Sequence, residues 1–384
     1  MKQSHILLIF FILLSFSCTS EKDKVSTVVD LDKTEKISIS KLVDSISVVL
    51  LEAKKESMIK NIKDVIIDKK RFYIFDLFSQ SVLCFDDQGK YLSKIDDIGK
   101  GLEGHFYVSD IKIDKFNDKL ILLNAFGSIL YYDLDCKFIS KIDLPDEIKD
   151  VFEVYPINKE TLMFFSWKSD KYKSFYYSVT SGNISETPLF SHSIQDQHNI
   201  FLPLKKTYYY NDSLYYNEVG VNNDVINLSG TAQRVSYSWN FGEKNNTQEQ
   251  INEALLYLNQ IKKKRTPFMG MNVIAKSGFP NYYLNNSFET KRYRITSLLY
   301  KEPKTSLSVF KDKKTGKDYI FRETKEGIEL SFQSTSDNAV IMYKDYLDLK
   351  FFSEDALSSR QQKQIKTHNP DKDNPFLVIY YFKQ

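Results

Sequence analysis

The chain has 384 residues, of which 42% are hydrophobic and 14% aromatic, a composition that excludes a disordered chain and supports a sizeable core. Its 53 basic and 50 acidic residues leave a net charge of +3 without an Arg-rich patch, which argues against nucleic acid as a partner. Three cysteines are too few for a disulfide scaffold, and the excess of Tyr and Phe suits pleated strands better than helices.

In chain order, Lys2 precedes an apolar run from Ile6 to Leu14 that is too short to span a bilayer and has the proportions of a secretory signal, residues 1–17. The following LLSFSC resembles a bacterial lipobox, which implies acylation of Cys18 and a membrane partner reached through that lipid. Leu14 stands four residues before the cysteine rather than three, a spacing similar to that of Bacteroidetes lipoproteins. Glu21, Lys22 and Asp23 resemble the acidic tether that sends such proteins to the cell surface. Residues 18–36 are polar and aperiodic, as expected of a flexible tether, and the folded body is expected over 37–384.

SISVVLLE, Ser45 to Glu52, reads as a strand with no repeat in front of it. From Ile62 to Pro145 the same pattern occurs twice: IKDVIID, RFYIFDL, SVLCFDDQGK and YLSKID are answered by VSDIKID, DKLILLN, SILYYDLDCK and FISKIDL. Each copy predicts a four-stranded antiparallel sheet, and one such sheet cannot bury both faces alone, so copies must stack radially. The hairpin marker recurs at Gly89, Cys136, Gly182 and Gly230, and returns at Gly316 after an insertion. The insertion carries a capping box at Thr247 and Gln250, an apolar stripe at Ile251, Ala254, Leu255 and Leu258, and a basic end before Pro267, which predicts a helix over 247–265. The last set offers IELSFQ, AVIMYKD and FLVIYYFK, with a polar segment of helical character from Ser353 to Lys366. Three strands stand where four are needed, so Ser45 to Glu52 is expected to close a six-bladed, all-β propeller.

KLVDSISVVLLEA, IKDVIIDKKRFYIFD, IGKGLEGHF, SWNFGEKN and DNPFLVIYYF together resemble the six-bladed β-propeller lipoproteins common in Bacteroidetes, whose blade layout is similar to that of NHL repeats. The resemblance implies a fold and a cell-envelope location, not a chemistry. Leu102 and His105-Phe106 depart from the Pro and Glu-Phe usual in that family's Gly-rich loop.

Gly99, Gly101 and Gly104 spell a dinucleotide fingerprint, but a strand follows instead of a helix, so no nucleotide is expected. His192 and His198 show no metal spacing, and Asp371 and Asp373 lack the Gly and Glu of a calcium loop, so neither metal nor cofactor is expected. The recurring Asp64, Asp68, Asp110 and Asp114 flank inner strands and read as caps of turns between blades, with channel-lining metal binding as the alternative. Cys84 and Cys136 fall at different levels of neighbouring blades, and no disulfide between them is expected. The loops joining second to third strands and blade to blade share one face, where Gln80, Trp167, Lys168, Asn222 and Lys301 form the candidate ligand surface; Trp167 is expected to pack over the edge of the third blade, with stacking on a sugar as the alternative. The leading reading is a non-catalytic binding module for a protein or glycan. The alternatives are a propeller hydrolase or lyase acting on glycans or lactones, and a scaffold subunit of an outer-membrane complex.

Overall fold

The computed structural model describes residues 25–96, 107–168, 171–187, 207–217, 222–229, 234–253, 256, 281–300, 306–330, 333–336, 338–344 and 358–384. It begins with two strands that belong to later blades, β1 (Ser26–Val28) and β2 (Val43–Leu50). Blade 1 comprises β3 (Ile62–Asp68), β4 (Arg71–Asp76), β5 (Ser81–Asp86) and β6 (Tyr91–Ile95). Blade 2 comprises β7 (Val108–Asp114), β8 (Lys119–Asn124), β9 (Ser128–Tyr132) and β10 (Phe138–Asp143). Blade 3 follows as β11 (Val151–Pro156), β12 (Thr161–Lys168), β13 (Lys171–Ser178) and β14 (Ile184–Thr187). Blade 4 holds β15 (Thr207–Tyr210), β16 (Ser213–Asn217), β17 (Asp224–Asn227) and β18 (Arg234–Asn240). Blade 5 holds β19 (Tyr282–Glu289), β20 (Tyr293–Tyr300), β21 (Ser306–Asp312) and β22 (Asp318–Phe321), and blade 6 adds β23 (Ser334–Ser336), β24 (Ala339–Lys344) and β25 (Phe376–Phe382). The six sheets are the six expected blades.

The core lies between blades rather than within them. Ile74, Leu83 and Phe85 of blade 1 pack on Ile341, Leu377 and Ile379 of blade 6, while Tyr73, Phe75 and Cys84 on the other face of the same sheet pack on Ile111, Leu122 and Tyr132 of blade 2. Period-2 alternation therefore serves two interfaces at once, which is why strands such as SVLCFD are apolar at nearly every position. The hairpins between third and fourth strands repeat bond for bond. Asp86 Oδ1 accepts from the Gln88 and Lys90 amides at 3.0 and 2.8 Å, and Asp133 Oδ1 accepts from the Asp135 and Lys137 amides at 2.9 and 2.8 Å. Gly89 has φ 81° and lies so close to β2 that a Cβ would sit 2.0 Å from the Leu50 carbonyl oxygen; Cys136 takes the same left-handed position in blade 2 with φ 67°.

Closure is made as expected. β2 pairs antiparallel with β25 from Val43 opposite Phe382 to Leu50 opposite Phe376, completing blade 6 as its outer strand. Two features differ from the sequence reading. The tether expected to run to residue 36 instead joins the fold at Ser26: β1 pairs parallel with β18 as a fifth strand, and Val29 and Leu31 are buried. The open edge of β18 offers unpaired backbone groups, and the valines and leucine spaced among Ser, Thr and Asp are enough to cover it. The inner strand of blade 6 is Ser334–Ser336, not IELSFQ, because Ile328 and Leu330 leave the ladder and fill the core shared by blades 4 to 6.

Two α-helices occur among the described residues. Helix α1 begins at 248, and Thr247 and Gln250 form the expected box, with the Gln250 amide donating to Thr247 Oγ1 at 3.2 Å and the Thr247 amide to Gln250 Oε1 at 2.9 Å. Beyond 253 only residue 256 of the expected helix is described. Helix α2 (Ser359–Thr367) occupies most of the polar segment before β25 and is capped by a second box at Ser358 and Gln361.

Candidate functional site in the propeller channel

The inner strands β3, β7, β11, β15, β19 and β23 surround the propeller axis, each neighbouring the inner strand of an adjacent blade. Several are bulged near their first residues: the register shifts between Ile62 and Asp64, Val108 and Asp110, and Val151 and Glu153. A bulge re-aims a side chain, and here each brings a carboxylate to the same level. Asp64 Oδ1 accepts from the Val65 amide at 2.8 Å and from the Ser334 hydroxyl of blade 6 at 2.7 Å. Asp110 Oδ1 accepts from the Ile111 amide at 3.0 Å and Lys112 Nζ at 2.5 Å, while its Oδ2 takes the Val154 amide of blade 3 at 3.0 Å. Glu153 accepts from the Tyr155 hydroxyl at 2.8 Å. Of the four recurring aspartates, Asp114 does cap a turn, accepting from the Phe116 and Asn117 amides, but that turn joins two strands of blade 2 rather than two blades. Asp64 and Asp110 join neighbouring blades instead, because the bulge turns them sideways.

Below this ring the channel holds a cavity of about 260 Å³, bounded by Asp64, Asp68, Lys112, Tyr155, Tyr209 and, at its rim, Lys115 and Asp212. Burial works against the Lys112 ammonium, but Asp110 and Asp64 outweigh it and hold its pKa above the usual lysine value. Lys63, which donates to the Ser109 carbonyl, is lowered by burial despite Asp110 nearby. Burial likewise pushes the Tyr155 and Tyr209 phenols well above their usual value, so both stay protonated, and Tyr209 donates to the Pro156 carbonyl at 2.8 Å. Burial also raises Asp68. Lys112 sits 4.8 Å from the centre of the Tyr155 ring, and Lys115 the same distance from that of Tyr209.

The mouth lies at the end where first and second strands turn. There Lys115 of blade 2 reaches Asp212 of blade 4 at 2.7 Å, with 83% of the Asp212 side chain exposed. An ion pair this open contributes about 0–1 kcal/mol, so a ligand can displace it cheaply. Carboxylates, ammonium groups and tyrosine rings around a half-apolar space can bond hydroxyls and pack against C–H faces. Among the described residues no three His, Cys, Asp or Glu are grouped to hold a metal.

The residues singled out from the sequence sit elsewhere. Gln80 lies in the β4–β5 turn with φ 53°, where its amide group donates to the Leu77 carbonyl at 2.8 Å and accepts from the Val108 amide at 2.7 Å, tying blade 1 to the start of blade 2. Asn222 opens an Asx turn, accepting from the Asp224 amide at 3.0 Å ahead of β17. Neither borders the channel cavity. Trp167 and Lys168 end β12, opposite Tyr172 and Lys171 of β13, and their side chains lie outside the description. Lys301, Cys18, the glycines at 99, 101 and 104, and His192 and His198 lie outside the described residues. Asp371 and Asp373 belong to a turn organised by Asn369, whose amide donates to Asp373 Oδ2 at 2.8 Å. The face that carries Gln80 also exposes Phe78 and Phe126 at equivalent turns of blades 1 and 2, at 71% and 69%.

Cys84 and Cys136 contradict the placement expected from the sequence. Cys84 lies in the apolar cluster at the interface of blades 1 and 2, and Cys136 packs against that same cluster. The stagger of neighbouring blades brings a hairpin of one level against a mid-strand position of the other.

Among curated proteins, none matches the chain. Two solved structures are similar over nearly its whole length. One is a protein described as exported, from Bacteroides fragilis, with a TM-score of 0.69 and 15% identity, covering 94% of this chain and 99% of its own. The other is a member of the DUF4221 family from Bacteroides vulgatus, with a TM-score of 0.52 and 11% identity, covering 89% and 97%. At these identities the likeness is one of fold. Residues 24–381 match the family described as a domain of unknown function, DUF4934, a span that includes β1 as well as the six blades. The chain belongs to the DUF4934 family.

Proposed function

We propose that the protein is a cell-envelope lipoprotein of NHL-like blade layout whose propeller binds a glycan without catalysing its breakdown, receiving a terminal unit of the glycan in the channel. The observation that carries this reading is the cavity of about 260 Å³ with tyrosine rings, carboxylates and lysines around it. It falls just below the roughly 300–1,000 Å³ of pockets that enclose a drug-sized ligand, so it suits one end of a chain rather than a whole oligosaccharide. Asp64 and Asp110 are engaged by backbone and hydroxyl donors, which suits positioning better than proton transfer. Binding to a glycan array, followed by titration calorimetry of the best hit, tests it. Asp68→Ala and Lys115→Ala are expected to weaken that hit by about 10-fold or more each, since a hydrogen bond to a charged group contributes about 1.5–3 kcal/mol. Binding that is indifferent to both substitutions contradicts a channel site.

A second reading, a protein partner as in an assembly scaffold, is favoured by the exposed Phe78 and Phe126 on the opposite face. Partner capture that survives Asp68→Ala but is lost on Phe78→Ser with Phe126→Ser would select it.

The membrane location rests on Cys18. Cys18→Ala is expected to move the protein from the detergent phase to the aqueous phase on partitioning; unchanged partitioning would remove the lipid from the proposal.

A further inference from the structure

We propose that Cys84 and Cys136 are a modification site: in an oxidising compartment they form a disulfide that staples blade 1 to blade 2. The geometry is built by neighbours rather than by the thiols alone. Tyr73 of β4 lies directly opposite Cys84 of β5, and its hydroxyl donates to the Leu134 carbonyl at 2.8 Å. Arg71 Nη1 donates to the same carbonyl at 2.6 Å and to Asp135 at 2.7 Å. Leu134 and Asp135 immediately precede Cys136 in the β9–β10 hairpin, so three bonds from blade 1 hold that hairpin over Cys84. Cys136 thereby packs against the cluster that contains Cys84, and a hairpin anchored this way at its neighbouring residues can bring the two sulfurs to an S–S bond of about 2.05 Å.

Cys136 also occupies a backbone position with φ 67°, where the matching hairpins carry Gly89, Gly182 and Gly316 with φ of 81°, 71° and 72°. Among the described hairpins between third and fourth strands this is the one that carries a side chain at that position, where glycine would be less strained. A bond to Cys84 gives that side chain a use that glycine lacks.

The chemistry needs an oxidant of the disulfide class, as envelope thiol oxidases and oxidised glutathione are. Cys84 is fully buried, whereas Cys136 is only partly buried, so the oxidant reaches Cys136. The Cys136 sulfur displaces one thiol from the oxidant to give a mixed disulfide, and the Cys84 sulfur then attacks Cys136 and releases the second. Two protein thiols lose two electrons and two protons, and the oxidant's disulfide becomes two thiols. The inference does not depend on which ligand the channel takes.

The test uses the full chain, one sample expressed through an oxidising secretory route and one treated in its native state with oxidised glutathione. Each is quenched in acid and alkylated under denaturing conditions without reductant. A cross-linked peptide pair joining Cys84 to Cys136 in either sample is the expected result. Reduction of the bonded protein is expected to lower Tm by about 3–8 °C. Cys136→Gly, which suits the backbone, should fold but show no response of Tm to reductant. Full alkylation of both cysteines in both samples overturns the proposal, as does a Cys136→Gly protein whose Tm falls with reductant as the parent's does.

Discussion

Deleting residues 43–50 is expected to leave the protein unable to fold to a monomer, with the product recovered in inclusion bodies or at the void volume of a sizing column. β25 would lose its whole outer partner, and Phe376 to Tyr380, all buried, would lie beside an open ladder. An unpaired apolar edge is a template for association, so aggregation should accompany the loss of stability. A milder version separates the two effects. Val48 is 5% exposed and pairs with Val378, so Val48→Asp buries a carboxylate for which valine's surroundings offer no partner. The expected cost is more than about 3 kcal/mol, read as a fall in the urea midpoint with an unchanged slope. A soluble, cooperatively unfolding deletion variant of unaltered midpoint would show that the ring does not need its closing strand.

The second large effect lies in blade 5. Asp312 is fully buried and accepts from Arg292 Nε at 3.0 Å and Nη2 at 2.9 Å, besides the Lys314 and Thr315 amides at 2.9 and 3.1 Å. Burial alone would raise its pKa, but the bonds from Arg292, Thr315 and Lys314 outweigh burial and leave it below the usual aspartate value. Arg292→Ala should cost about 3–5 kcal/mol at neutral pH, because it strands a buried carboxylate. The pH dependence follows from the direction of the shift. A depressed carboxyl contributes its stability fully above the unfolded value of about 3.9 and loses it as pH falls through the lower folded value. Without Arg292 the same carboxyl protonates more readily, so the gap between parent and variant should narrow as pH falls from about 5 to 2. A gap that is small at neutral pH, or constant down to pH 2, would show that the Arg292 contacts are not coupled to Asp312 ionisation.

The blades were legible because their strands are long, apolar and repeated at a constant period, and closure followed from counting strands. What escaped detection depends on contacts between blades. β1 is three residues of an apparently polar tether, and nothing local in Ser-Thr-Val announces a parallel partner at Ser238 to Asn240. Ile328 and Leu330 have the alternation of a strand, yet they serve the core, while the ladder uses the polar Ser334–Ser336. Alternation reports burial, not hydrogen bonding. The channel site is spread over at least three blades, so Lys112, Tyr155 and Tyr209 each look like ordinary strand residues. One signal was available: Asp64 and Asp110 recur at the start of inner strands, and Glu153 follows them in blade 3. Read as bulge residues rather than turn caps, they would have pointed to the axis. The contact of Cys84 with Cys136 needed the stagger between blades, which no spacing in one dimension conveys.

The pairing of β2 with β25 also sets an order of events in time. Leu50 is made early and meets Phe376 only when almost all of the chain exists. Contacts of such sequence separation are slow to form, because a long loop must close before they stabilise anything. Blades 1 to 3 can assemble from local hairpins while β2 waits unpaired, and the ring locks only with the last seven-residue strand. A chain that stops short of residue 376 therefore carries two open edges, on β2 and on β24, and is marked as unfinished by its own exposed backbone.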